Sequence, residues 1–546
     1  MRHTTSVTDE VRYGFRRRAR EDFSGAGGRQ RLLACAGSPV PEGSRQPASA
    51  GEETHRSSAY GDDGPVTNDS VVPYVRDVVR RWPGHDAVSW AGTTVSYGEL
   101  HALASAIAAV LLEFHGEAVA VRVPSGHRQI ATLLGVLAAG AQLLWLGAHE
   151  TGERGRVVLR DLRPACLVLD GAEDEFAEFY RAELSGKILD LGTVVPTAAP
   201  LVPVEPGGPA YFAYTSGSTG TPKGVAQTHA ALAQFTSWLG GTFEMGPGAR
   251  VAQWVAPEHD PALCEVFATL VSGGTLCPVP ERIRANPDKL VGWLAEERIT
   301  HLQTIPSFMR ELLRAGLPST LRCLLLMGEA LPAELVNGLR SALPAARLVN
   351  LYGPTEVIAA TWHEIAGEVQ DTTPIGVPIP GRAVLVLDDQ DQPCPVGVTG
   401  NLVVRSPYVT PGYFGVGRTD AFRPDGCYRT GDLACLRPDG LLEFRGRRDF
   451  QVKVAGVRLE LGEVEAALAG HESVRECAVV PTVDADGLTT HLVAYVVPHK
   501  EPEVRAWRSY LRARFGRSMS PIRVKVLSGR LPRTVAGKVD RRRLAG

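Results

Sequence analysis

The stretch "YTSGSTGTPKG", residues 214–224, decides how the rest of the chain is read. It follows "GPAYFA" (208–213), a short apolar run with the length and composition of a buried strand. Glycine and proline are the weakest helix formers, and glycine also weakens a strand interior, so the stretch itself is a loop. Loops of this composition are commonly flexible linkers. A loop set at a strand end and closed by a lysine has a sharper use. Its backbone N–H groups can approach an anion, its hydroxyls add donors and the ammonium adds charge. The order Pro222-Lys223-Gly224 is not that of the Walker loop, where Gly-Lys precedes Ser or Thr. Thr215, Ser216, Gly217, Ser218, Thr219, Gly220 and Lys223 are therefore candidates for a phosphate cradle of another kind.

Outward from this loop, short apolar strands alternate with helical patterns from about residue 71 to 365. "AVAVRV", "ACLVLD", "RVAQWVA", "HLQTI", "CLLLMG" and "RLVNLYG" are the strands. Such alternation predicts βα units and parallel-rich sheets. The longest helical pattern is "LLGVLAAGAQLLWLG" at 133–147, and no apolar run reaches transmembrane length. Between about 374 and 447 strands and Pro/Gly turns replace helices, which predicts a β-rich subdomain. Past "GRRDFQVKVAGVRL" the order is helix, two strands and helix, a small α+β unit. The expected fold class is α/β, with residues 71–448 as a large core and 449–546 as a small domain. Residues 1–70 carry no sustained apolar period and predict a disordered extension.

A length of 546 residues suits two to four domains, and the 44% apolar and 22% charged content is that of a globular protein. The net charge of −2 gives no electrostatic case for nucleic acid or a membrane surface. Nine scattered cysteines without a Cys-x-x-Cys pair argue against a disulfide framework or a zinc site, and no secretion signal is visible. A cytoplasmic location is the expectation. Only seven of the 58 basic residues are lysine, and three of them, Lys223, Lys453 and Lys538, fall within residues 214–224, 446–465 and 531–544. A compact ammonium is not interchangeable with a planar guanidinium, so lysine in an arginine-rich chain marks positions where the point charge matters.

Six stretches, in order, resemble the adenylate-forming enzymes, and within them the amino-acid adenylation domains of nonribosomal peptide synthesis. They are "TVSYGEL" (94–100), "YTSGSTGTPKG", "NLYGPTEV" (350–357), "YRTGDL" (428–433), "GRRDFQVKVAGVRLELGEVE" (446–465) and "LPRTVAGKVDRRRL" (531–544). The resemblance spans about 450 residues of the 546. It implies a large domain hinged at Asp449 to a small mobile one, ATP and Mg²⁺ as cofactors, and two half-reactions. A substrate carboxylate first attacks the α-phosphate of ATP, and the acyl group then passes to the phosphopantetheine thiol of a separate peptidyl carrier protein. On the matching positions, Lys223 and its loop would hold pyrophosphate and Tyr352 would face adenine. Thr355 would meet phosphate, Glu356 would bind Mg²⁺, Asp432 and Arg447 would hold the ribose, and Lys538 would bridge carboxylate and phosphate. Two departures stand out: "QLLWLGAHETGERGR" replaces a Pro-rich run, and Asn401 stands where an acid is usual. The chain stops two residues after Leu544, which reads as a stand-alone enzyme.

The same resemblance maps the amino-acid pocket onto Asp260, Pro261, Cys264, Gln303, Leu325, Met327, Leu351, Ala359, Ala360 and Lys538. An aspartate in a pocket wall wants a cation, here the substrate ammonium. This separates an amino-acid enzyme from an acyl- or aryl-acid CoA ligase, the first rival; a non-catalytic adenylate-binding protein is the second. The residues themselves reach as far as a bulky, mostly apolar side chain, with Gln303 suited to a neutral polar tip. The set also resembles that of the enzymes activating β-tyrosine-type acids in enediyne antibiotic pathways. That implies an aromatic β-amino acid, with a bulky apolar α-amino acid as the alternative.

Overall fold

The computed structural model describes residues 59–60, 70–148, 152–171, 173–195, 202–215, 222–370, 372–423, 425–448, 451–454, 457–484, 489–515, 522–533, 539 and 541–545. Ser216–Gly220, Asp449 and Lys538 of the expected site lie outside the described residues. The βα alternation resolves into two sheets. In the six-stranded sheet, Lys187–Asp190, Cys166–Leu169, Ala118–Arg122, Gln142–Trp145 and Pro209–Thr215 run parallel, and Lys223–Thr228 closes it antiparallel. The nine-stranded sheet is parallel from Asp86–Trp90 through Thr275–Pro278, Arg250–Gln253, His301–Thr304 and Cys323–Met327 to Arg347–Tyr352, with antiparallel strands at both ends. A five-stranded antiparallel sheet forms the expected β-rich part, built from Ala383–Leu387, Gly400–Arg405, Cys427–Leu436 and Leu442–Arg447.

The fifth strand of that sheet is Ala59–Tyr60, paired antiparallel with Ala383–Val384. The first 70 residues thus hold one paired segment that the apolar pattern did not signal, because a backbone ladder of two residues needs no periodicity. The helical reading of 133–147 is also corrected. The helix His127–Ala138 ends, Gly140 turns the chain at φ +68°, and "QLLW" leaves as the strand Gln142–Trp145. A left-handed residue at a helix end is glycine's natural place.

Two helices fix the layers. Tyr97–Leu111 starts on a capping box, in which the Ser96 N–H donates to Glu99 at 2.8 Å and the Glu99 N–H to Ser96 Oγ at 3.3 Å. With the turn that follows, Tyr97–Phe114 is long and apolar enough to cross a membrane by length and composition, against the expectation of no such run. Its Leu100, Ala104, Ile107 and Leu111 are buried in the core between the sheets. There it packs so closely on His127–Ala138 that a Cβ on Gly135 would lie 2.9 Å from Ile107. The second helix, Pro261–Ser272, begins on proline and ends at Gly273 with φ +91°. It puts Leu263, Val266 and Phe267 into one core and Cys264 and Ala268 into another.

The small C-terminal part has the expected helix Leu461–Ala469, strands Val474–Val483 and Thr489–Pro498, and helix Val504–Phe515. It adds the hairpin Gln451–Val454/Val457–Glu460 and a parallel third strand, Ile522–Val526. Trp507 and Leu511, fully buried, anchor its core. The architecture is a large α/β domain of mixed sheets with a small C-terminal domain.

Candidate active site

Ligands of open α/β sheets sit beyond the carboxyl ends of the parallel strands. There the strand Arg347–Tyr352 leads into Gly353, Pro354 and the single 3₁₀ turn Thr355–Val357. The chain doubles back so tightly that a Cβ on Gly353 would lie 2.4 Å from Ala359 Cα. Ile358 closes the bend at φ +62°, ψ −63°, with the Ala359 N–H donating to Val357 O at 2.8 Å. That is the rare positive-φ γ-turn, and a β-branched residue in it stores strain of roughly 1–3 kcal/mol. The bend sets Thr355 and Glu356 beside Ala359 and Ala360.

Thr355 Oγ1 donates to Asp260 Oδ1 at 3.0 Å, across 95 residues of sequence. Gln227, from the strand after the phosphate loop, donates to Thr355 O at 2.6 Å. Asp260 occupies the N-cap position of its helix, but its side chain makes no capping bond. The carboxylate turns instead toward Thr355, so two expected site residues meet at one point, with Gln227 supporting the Thr355 backbone. Glu356 is fully buried and accepts from the Tyr413 hydroxyl at 2.7 Å. The Lys223 ammonium lies 5.3 Å above the ring of the same tyrosine. Gly224 is tied to this geometry, since a Cβ there would lie 2.9 Å from Tyr214 Cζ. Tyr214 in turn donates to Asp161 at 2.7 Å, and Arg154 donates to Tyr214 O at 3.1 Å. The loop therefore leaves the strand from a fixed stem.

Asp432 is buried and ion-paired with Arg447, and it accepts from the Tyr352 hydroxyl. Its backbone N–H donates to Thr430 Oγ1 at 3.0 Å. Tyr352 thus does more than present a flat face: it holds the carboxylate that the motif resemblance assigns to the ribose. Burial and the neighbouring carboxylate push its phenol well above the ordinary range, so it stays a donor. The Phe444 ring stands 6.2 Å from Tyr352 at 41°, a second aromatic wall that the motif reading missed. One buried carboxylate with a fixed hydrogen-bond donor suits Mg²⁺, which is held by one or two carboxylates together with substrate phosphates. No group of three or more His, Cys, Asp or Glu able to hold a metal by itself occurs among the described residues.

The specificity positions largely converge. Gln303 stands in register with Leu325, and Met327 with Leu351. Cys264, Leu325, Leu351 and Ala359 share one buried cluster, with Met327 packed against it. Ala360 is the exception: it packs with Tyr352 and Val357 in the neighbouring cluster. Burial pushes the Cys264 thiol up, and the charges of Asp260 and Glu265 add to it, so it stays a small neutral group within its buried cluster. Two contributors lay outside the motifs. Glu265 is buried next to Cys264, and although it accepts from the Val255 N–H at 3.1 Å, burial holds its carboxyl well above the usual range. Arg382 is buried between Phe235 and Tyr408 and donates to Gln234 at 2.7 Å; burial lowers it to about 10. A cleft lined by Trp145, Arg154, Tyr211, Tyr214 and His259 also includes Asp260 in its wall. The "LLWLG" departure therefore shapes a wall of the cleft that holds Asp260.

Residues 75–414 match the AMP-binding enzyme family and residues 463–538 the AMP-binding enzyme C-terminal domain. Phosphinothricin tripeptide synthetase PhsB of Streptomyces viridochromogenes is 36% identical over 83% of this chain and 40% of its own length. The L-proline--[L-prolyl-carrier protein] ligase of Pseudomonas fluorescens is 36% identical over 65% of this chain and 72% of its own. Among solved structures, the amide bond synthetase McbA of Marinactinospora thermotolerans superposes with a TM-score of 0.77 at 26% identity, over 87% of this chain and 99% of that one. The chain spans about two fifths of the length of the first curated relatives it matches. Fold, site geometry and family matches agree: the chain belongs to the AMP-binding enzymes, the adenylate-forming family.

Proposed function

We propose that the protein adenylates an amino acid with ATP and passes the acyl group to the phosphopantetheine thiol of a carrier protein. The observation that carries this is the 3.0 Å contact between Asp260 and Thr355. A carboxylate able to hold an ammonium and a hydroxyl able to meet phosphate share one point. A substrate anchored on Asp260 by its amino group would present its own carboxylate beside Thr355. That carboxylate oxygen bonds to the α-phosphorus of ATP as the bond to pyrophosphate breaks. Lys223 and the loop at 215–220 take the charge of the leaving group, and Lys538 takes that of the reacting carboxylate and phosphate. In such chemistry charge stabilisation is the main catalytic contribution. Asp432, steered by Tyr352 and Arg447, accepts from the ribose hydroxyls, and Tyr352 and Phe444 flank the adenine. Bound at Glu356 and the phosphates, Mg²⁺ would neutralise phosphate charge. In the second half-reaction the thiolate attacks the acyl carbon and AMP leaves. The small domain, turning at Asp449, exchanges Lys538 for the "KVAGVRL" hairpin between the two steps.

For the substrate we propose an aromatic β-amino acid, β-tyrosine or a ring-modified relative. The apolar wall of Leu325, Met327 and Leu351, the small Cys264 and Ala359, and the neutral amide of Gln303 support a bulky side chain with an uncharged polar tip. The names of the relatives support the carrier-protein step, since one is itself a ligase for a prolyl-carrier protein. Amino-acid-dependent pyrophosphate exchange tests both levels. β-Tyrosine is expected to exceed L-tyrosine, L-phenylalanine and L-leucine by tenfold or more, on the order of one well-placed charge contact. An α-amino acid in first place removes the β-amino-acid reading. Exchange with aryl acids alone removes the amino-acid reading.

A further inference from the structure

Tyr413 lies outside the residues assigned above to ATP, metal or amino acid, yet it touches both charged groups of the triphosphate side. Its hydroxyl donates to Glu356 Oε1 at 2.7 Å, and its ring lies 5.3 Å beneath the Lys223 ammonium. The segment that carries it is stitched to the two elements bearing those charges. The Phe414 N–H donates to Gly224 O at 2.8 Å, and Val225 and Tyr413 form an isolated bridge. Thr410 Oγ1 donates to Ala226 O at 2.6 Å, and the Thr410 N–H to Glu356 O at 2.9 Å. The ring is 6% exposed and held edge-on by Phe422, 5.2 Å away at 76°.

We propose that Tyr413 is the positioning residue of the triphosphate site, one side chain that sets the Lys223 ammonium and the Glu356 carboxylate relative to each other before nucleotide binds. The inference rests on the reading of Lys223 and Glu356 as the phosphate and metal groups. A lysine has four rotatable side-chain bonds, and the face of an aromatic ring restricts where its ammonium rests. A phenol hydrogen bond to one carboxylate oxygen fixes the rotation of the carboxyl plane. Because one rigid ring makes both contacts, it constrains the separation of the two charges. A residue that merely filled the core would need neither the hydroxyl nor the ammonium above its face.

The test uses the full chain and calorimetric binding of ATP with and without Mg²⁺, alongside pyrophosphate exchange. Tyr413→Phe keeps the ring and loses the hydroxyl. It is expected to raise the Mg²⁺ concentration for half-maximal ATP affinity about three- to tenfold, the order of one lost hydrogen bond of ordinary net strength, and to leave metal-free ATP binding within about twofold. Tyr413→Leu loses the ring too and should also weaken metal-free ATP binding several-fold, while the amino-acid KM of both variants stays near that of the parent. If Tyr413→Phe binds ATP like the parent at every Mg²⁺ concentration, the proposal is overturned. Equal weakening with and without metal, together with a lowered Tm, overturns it as well and leaves a structural tyrosine. Lys223→Ala and Glu356→Gln separate the two layers. If both weaken Mg-ATP and Tyr413→Phe does not, only the role of Tyr413 fails; if neither does, the underlying reading fails and takes the proposal with it.

Discussion

Asp260 shows how far a single residue can be read from sequence. The motif reading placed it in the amino-acid pocket as a carboxylate awaiting a cation. Its bond to Thr355 and its failure to cap its own helix came only from the fold, because both depend on a turn 95 residues away. The two roles can be separated. Asp260→Asn keeps an oxygen that can accept from the Thr355 hydroxyl but loses the charge. The expected result is a rise of thirtyfold or more in the amino-acid KM, the order of about 2–5 kcal/mol for one partner of a desolvated charge pair, with ATP affinity unchanged. Amino-acid titration of the exchange reaction and calorimetric ATP binding measure the two effects independently. Equal losses in both would mean that Asp260 serves Thr355 rather than the substrate. Tyr352 and Phe444 make the complementary case. The motif resemblance gave Tyr352 an expected place facing adenine, whereas its hydroxyl bond to Asp432 and its partner Phe444 were not legible, since nothing in local sequence marks which strands become neighbours.

At the scale of elements, the strands named from apolar runs are present, and the errors fall where periodicity carries no information. Residues 133–147 read as one helical pattern because an apolar helix and an apolar strand joined by glycine look alike. The strand Ile522–Val526 alternates with arginine and lysine and was hidden in a basic run. The γ-turn at Ile358 contradicts local propensity outright, and such conflicts gather at functional sites. The helix Leu461–Ala469 carries another conflict, and it is testable. Glu463 sits in its first turn, where a carboxylate is normally welcome, but it is buried and its Oε2 has no hydrogen-bond partner among the described residues. Burial pushes its carboxyl up to about 7, against the lowering fields of Arg514, Arg154 and Lys223. A carboxyl raised in the folded state favours the protonated form. The folded protein therefore loses stability as pH rises from the ordinary carboxyl value near 4.5 to about 7, and none below it. Glu463→Gln should flatten that slope and raise Tm at pH 8 relative to the parent, with no gain at pH 4.5. Thermal melts of the two proteins across this range decide it; a parallel pair of curves would place the carboxylate in contact with water.

On the scale of the whole molecule, the two-domain plan was legible from the change of pattern after residue 447, but the way the domains meet was not. The charges of Arg154 and Lys223 in the large domain act on Glu463 of the small one, and Arg310 on the helix Pro306–Ala315 pairs with Asp484 beyond the strand Val474–Val483. The Arg310–Asp484 distance is 2.7 Å, and each side chain is 22% exposed, so the pair is neither bare surface nor core. Exposed pairs contribute about 0–1 kcal/mol, whereas removing one partner of a desolvated pair costs more because the other charge is left uncompensated. If the small domain turns about Asp449 between half-reactions, a pair of this kind holds one orientation and must break to reach the other. Its removal then changes the balance of the two steps instead of lowering both. Arg310→Glu sets two acids against each other and should shift the ratio of pyrophosphate exchange to thioester formation several-fold, about 1 kcal/mol of orientation preference. Asp484→Arg in the same chain restores the attraction with reversed charges and should return the ratio to that of the parent. The shift should also shrink at high salt, because a pair still partly in water is screened. A ratio that ignores both substitutions would show that this contact closes no orientation. The preference would then rest on the Glu463 side of the interface, where the charges of Arg154, Arg514 and Lys223 meet a single buried acid.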